Sequence, residues 1–111
     1  MNILCCGDSH VRVFDYCNRI KNGFVFDVCQ VGGATAQGSV NPNSKTDALN
    51  IFKKKINSTH ADKILIMLGE VDCGFLIWVR SKKYNINVDD QINICIKNLF
   101  TFVDNIIATK K

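Results

Sequence analysis

The sequence predicts a three-layer α/β fold, a parallel sheet with helices on both faces. Three observations lead there. Apolar, β-rich runs at residues 2–6, 24–31 and 62–68 each end at or beside glycine. Each run is followed by a stretch with apolar residues at helical spacing. Strand then helix, three times over, calls for parallel pairing with right-handed crossovers. About three strands make a narrow and incomplete sheet, and residues 1–111 read as one truncated domain.

The first strand, residues 2–6, runs into Gly7-Asp8-Ser9-His10. From Val11 onward, Val13, Phe14, Cys17 and Ile20 recur at helical intervals, and Asn22-Gly23 stops them. The second strand ends in Gly32-Gly33. Residues 34–45 hold Gly38, Pro42 and polar turn formers, which predicts an exposed loop. Thr46 is placed to cap the next helix, with Ala48, Leu49, Phe52 and Ile56 on one face and Lys53 to Lys55 on a solvated one.

The third strand is continuous in apolar residues from Ile64 and closes at Gly69. Residues 75–79 are aromatic-rich and predict a short helix or a lid on the active face, with Phe75 and Trp78 as core or lid packing in preference to a substrate platform. Asp89 is the expected N-cap of a long amphipathic helix carrying Ile92, Cys95, Ile96, Leu99, Phe100, Val103, Ile106 and Ile107.

Composition narrows the function classes. A 47% apolar fraction with 22% charged residues is that of a packed interior, not a disordered chain. The net charge of +4 is spread over Lys53 to Lys55, Lys82, Lys83, Lys110 and Lys111, with no arginine-rich, aromatic-interleaved surface, so no nucleic-acid partner is expected. Six cysteines lie without Cys-x-x-Cys spacing, and Cys5, Cys29 and Cys95 sit in apolar runs as small hydrophobes. That spacing predicts no metal site. Residues 1–6 are too short for a secretory segment, which points to a reducing, cytoplasmic compartment and no membrane association. The sequon at Asn57-Ser58-Thr59 then reads as chance.

In an open parallel sheet, functional residues gather at the carboxyl ends of the strands. Those ends are Gly7-Asp8-Ser9-His10, Gly32-Gly33-Ala34-Thr35 and Gly69-Glu70-Val71-Asp72-Cys73. Ser9 follows a strand and opens a helix, so its hydroxyl can leave the sheet edge while its N–H faces an incoming oxygen. That suits a nucleophile with half an oxyanion hole, or a plain helix cap. Gly33 could offer a second N–H, or simply end its strand. Asp8 and His10 flank the serine and could contact substrate or hold the loop. Glu70 and Asp72 could bind a sugar hydroxyl or hold their loop through backbone N–H groups.

These blocks resemble the opening of the SGNH (GDSL-like) hydrolase superfamily. Gly7-Asp8-Ser9-His10, a glycine after the second strand, and Gly69-Glu70-Val71-Asp72 after the third stand in order, and Gly69 to Cys73 is similar to a branch with glycan-associated members. The resemblance implies a flavodoxin-like sheet and hydrolysis of carbohydrate or lipid esters through an acyl-enzyme, without cofactor. It implies Ser9 as nucleophile, and Ser9 and Gly33 N–H groups as oxyanion donors.

Two departures accompany it. Val71 stands where the family has an asparagine whose amide completes the oxyanion hole, and a lost donor costs on the order of 10²–10³ in turnover. The family's late Asp-x-x-His block is absent. His10 and Ser9 diverge by ~100° at a helix start, and His60 precedes the third strand, roughly 20 Å from the active edge at ~3.3 Å per residue.

Neither histidine is placed as a general base, so the expectation is a serine esterase or acetylesterase frame with little or no activity by itself for lack of the catalytic histidine. A non-catalytic remnant binding a glycan or partner chain is the alternative. A nucleotide-binding module is disfavoured, because residues 32–38 lack Gly-x-Gly-x-x-Gly spacing and Pro42 interrupts the region where its helix would begin. A partner chain or a second copy, in a homo-oligomer, could cover the open sheet edge.

Overall fold

The computed structural model describes residues 1–20 and 22–110, so Lys111 of the terminal lysine pair lies outside the described residues. Three strands, β1 (Asn2–Gly7), β2 (Val25–Gln30) and β3 (Lys63–Met67), form one sheet in the order β2-β1-β3. Both pairings are parallel. The helices are α1 (Val13–Cys17), α2 (Ala48–Ser58), α3 (Ile77–Tyr84) and α4 (Val88–Lys110). The expected α/β class is what the chain adopts, and this strand order matches the first three strands of a flavodoxin-like sheet.

The period-2 alternation of the strands sorts their residues onto two faces. Leu4 and Cys6, with their ladder neighbours Ile64, Ile66 and Cys29, face α2 and α4. Phe52 of α2 and Phe102 of α4 are both fully buried there, with ring centroids 6.1 Å apart. On the opposite face Phe14 of α1 meets Phe26 at 5.2 Å. The β1-to-β2 and β2-to-β3 connections run in opposite directions and cross opposite faces, so the two crossovers share one hand, as parallel units require.

Several local expectations change. The first helix is a 3₁₀ turn at Ser9–Arg12 followed by only five α residues, and Ile20 is outside it. What replaces its last turn is Asn18, whose side chain donates to the Phe26 carbonyl at 2.7 Å and accepts from the Phe26 N–H at 2.8 Å. It thereby occupies the outer edge of β2 as a neighbouring strand would.

Thr46 is not a cap. α2 starts behind Asp47 in the left-handed region (φ 56°), which aspartate tolerates, and Asp47 Oδ1 accepts from the Asn50 amide at 2.6 Å. The Thr46 hydroxyl lies 3.4 Å from that of Ser44. On the lysine face Lys55 pairs with Asp27 of β2 at 3.1 Å, both side chains remaining about half exposed. α4 is capped by Asn87, not Asp89: Asn87 Oδ1 accepts the Asp89 N–H at 2.7 Å, leaving Asp89 and Asp90 as first-turn acids that suit the helix dipole.

Phe75 and Trp78 are exposed, with Ile77 the buried residue of that segment. A single π turn at Asp72–Leu76 rotates the chain ahead of α3, and the Trp78 indole N–H donates to the Cys73 carbonyl at 2.7 Å. No helix among the described residues is long and apolar enough to cross a membrane.

All six cysteines are free thiols. Burial raises Cys5 to about 11, Cys6 to about 12 and Cys95 to about 11, against an ordinary value of 9.0. Once unfolded, these thiols ionise near pH 9 while the folded chain keeps their protons. The unfolded state then binds fewer protons, so stability that is complete below pH 9 falls as pH rises through the 9 to 12 window. Urea midpoints should decline from pH 8 to 10.5, and less steeply in Cys6→Ala. A level wild-type midpoint, or equal slopes, would show that these thiols do not carry the effect.

Candidate functional site

The ladder register fixes where the three turns lie. Gly7 at the end of β1 is opposite Gln30 of β2 and Met67 of β3, and the Val31 N–H reaches the Gly7 carbonyl at 2.9 Å. Parallel strands point their carboxyl ends the same way, so the turns that follow all leave one edge of the sheet. The serine turn is central, flanked by the Gly33 turn and the Gly69 turn. Glycine is required at position 7 because a β-carbon there would collide with the Met67 carbonyl.

One buried carboxylate joins the two outer turns past the end of β1. Asp72, fully buried at the start of the π turn, accepts the N–H groups of Ala36 at 2.6 Å and Gln37 at 3.1 Å, and lies 3.3 Å from the Cys95 thiol. Two backbone donors and a thiol around one carboxylate are the loop-holding use of this residue.

The clamp draws residues 34–45 inward, so the segment read from sequence as an exposed loop is half interior. Ala34, Ala36, Gln37 and Ser39 are buried, and Gln37–Val40 forms a 3₁₀ turn. Polar groups are satisfied on α4: Gln37 Nε2 donates to Gln91 Oε1 at 2.8 Å, and the Asn98 amide donates to the Gln37 carbonyl at 2.9 Å. Gln37, Gln91 and Asn98 went unnoticed in the sequence because nothing in a polar loop says that its amides will find partners 54 or 61 residues away.

Ser9 is exposed at the first position of its 3₁₀ turn, and neither its hydroxyl nor its N–H bonds to another described residue. It is therefore not the cap. Asp8 takes that part, accepting the His10 N–H at 2.8 Å. The same Oδ1 meets His10 Nδ1 at 2.9 Å, with the Asp8 side chain 1% and the His10 side chain 49% exposed. Gly33 is exposed with φ +76°, a conformation that favours glycine, and its N–H has no acceptor among the described residues.

Glu70 is exposed and unpaired among the described residues, Val71 is half-buried with no donor to give, and His60 precedes β3 at the opposite end of the sheet. A groove of about 760 Å³ begins at Gly33 and runs between the 35–46 segment, α3 and α4, past Gln37, Lys45, Arg80 and Asn98; Ser9 is not among its lining residues. No group of three or more metal-ligating side chains occurs among the described residues.

Comparison of the chain with protein-family models, with curated proteins and with solved structures returned no match.

Proposed function

We propose that this chain is a serine ester hydrolase frame of SGNH type, with Ser9 as nucleophile and the N–H groups of Ser9 and Gly33 as oxyanion donors. The observation that carries the reading is the common edge. An exposed serine with an unengaged hydroxyl and N–H stands at the end of the central strand, and a left-handed glycine with an unengaged N–H follows the neighbouring strand. Acyl transfer needs this combination, a reachable oxygen nucleophile and fixed donors where negative charge develops. The substrate class is a small or glycan-borne ester, and six free thiols fit a cytoplasmic setting.

Turnover is expected to be slow, because Val71 brings no third donor and such a donor is worth on the order of 10²–10³ in rate. A chromogenic acetyl ester tests the reading. Slow hydrolysis by the purified chain that disappears in Ser9→Ala, with the fold retained by circular dichroism, is the expected result. Hydrolysis that survives in Ser9→Ala, or none by the wild type, contradicts it.

The groove beginning at Gly33 favours a second reading, a non-catalytic frame that holds a glycan among its amides, Lys45 and Arg80. That reading predicts saccharide binding unaffected by Ser9→Ala and no ester turnover.

A further inference from the structure

We infer that Asp8 and His10 form the acid–base pair of this site, with His10 Nε2 as the proton acceptor and Asp8 as its positioning residue. The inference rests on the hydrolase reading above and supplies the base that the sequence motifs lack.

The geometry is specific. Asp8 Oδ1 lies 2.9 Å from His10 Nδ1, and the pairing this inference assigns is the one in which Nδ1–H donates to the carboxylate. The neutral imidazole then carries its free lone pair on Nε2. The carboxylate is buried and the imidazole half exposed, so the anchored side of the ring is inside and the ring still reaches solvent. A backbone contact between Asp8 Oδ1 and the His10 N–H at 2.8 Å fixes both residues in one short turn, which limits where the ring can go.

A capping role alone does not account for aspartate here. Asn or Ser would accept the same N–H without placing a charge inside the protein. Asp8 Oδ2 is buried and has no hydrogen-bond partner among the described residues, a cost that the cap does not repay. The charge has a use if it orients the ring and stabilises the imidazolium, as a carboxylate does behind any catalytic histidine.

Ser9 and His10 are neighbours with no hydrogen bond between their side chains, so the proton passes through one water molecule. The Ser9 Oγ proton moves by way of that water to His10 Nε2 as Oγ bonds to the ester carbonyl carbon, and the carbonyl electron pair moves onto oxygen. The tetrahedral species collapses, the bond to the alkoxy oxygen breaks, and the imidazolium returns its proton to the departing alcohol. A second water then attacks the acyl-enzyme, giving its proton to His10; Ser9 Oγ leaves the carbonyl carbon and takes that proton back, releasing the carboxylic acid.

The test uses the full chain and the acetyl ester. His10→Ala should lower kcat/KM on the order of 10²-fold or more, with activity partly restored by added imidazole. Asp8→Asn, which keeps an acceptor for the cap, should lower it at least about tenfold, the tautomer no longer being fixed. The ring nitrogen shifts of His10 should report Nδ1–H in the wild type and a changed tautomer balance in Asp8→Asn. Full activity in His10→Ala overturns the inference and leaves Ser9 as nucleophile. So does activity lost without imidazole rescue alongside a ring protonated at Nε2, which marks a structural role. Wild-type protein without any Ser9-dependent turnover removes the hydrolase reading, and this pair's role with it.

Discussion

Asp72→Ala is expected to destabilise the chain by about 2–6 kcal/mol, because it leaves two buried N–H groups without an acceptor at about 1–3 kcal/mol each. A domain of this size has only about 5–15 kcal/mol to lose. The Ala36 and Gln37 N–H groups have no other acceptor among the described residues, and the Cys95 thiol loses one of its two polar neighbours, keeping Gln37. The effect should concentrate at the edge of the sheet, since α2 and α4 retain the core around Phe52 and Phe102. Asp72→Asn, which keeps one oxygen acceptor, should lose roughly half as much. Urea unfolding of the three proteins checks this, and an Asp72→Ala midpoint within error of wild type would mean that the two turns are not joined as described. Because that join positions the Gly33 side of the edge, Ser9-dependent ester turnover should fall with it even in variant molecules that stay folded.

The sequence made the frame legible because its signals were local. Strand runs bounded by glycine at 7, 32 and 69 predicted three parallel strands within one or two residues of their ends, and helical spacing placed Phe52, Ile56, Cys95 and Ile106 among residues that are buried, whereas Phe102, fully buried, was outside the expected face of α4, and Ile96, Phe100 and Ile107 of that face are exposed. Ends of helices were less legible. Thr46 and Asp89 satisfy a capping rule, yet Asp47 and Asn87 took those positions, since several adjacent residues could cap and only the entry angle of the chain decides among them. Phe75 and Trp78 are exposed where core or lid packing is expected, because hydrophobicity alone does not say which side of a short helix faces inward.

At the candidate site, the glycine-led turns could be read and their cross-links could not. The clamp from Asp72 to residues 36 and 37 spans 35 or 36 positions, and no spacing rule couples a carboxylate to a distant loop. The Asp8–His10 pair could have been anticipated. An aspartate two residues before a histidine at a 3₁₀ start can accept both the backbone and ring N–H.

The second large effect concerns Ser9 itself, and its outcome is all or none. A fluorophosphonate forms a stable bond only with an oxygen nucleophile that has a proton acceptor within reach and donors to hold the developing oxyanion. Ser39 is buried and Ser58 and Ser81 have their hydroxyls engaged by backbone carbonyls, whereas the Ser9 hydroxyl is exposed and unengaged. Intact mass after incubation of the folded chain, followed by peptide mapping, is the direct measurement. One adduct per chain, on the peptide that carries Ser9 and absent after urea unfolding, is the result this account predicts. A folded chain that takes no adduct, or takes it on another residue, would contradict it.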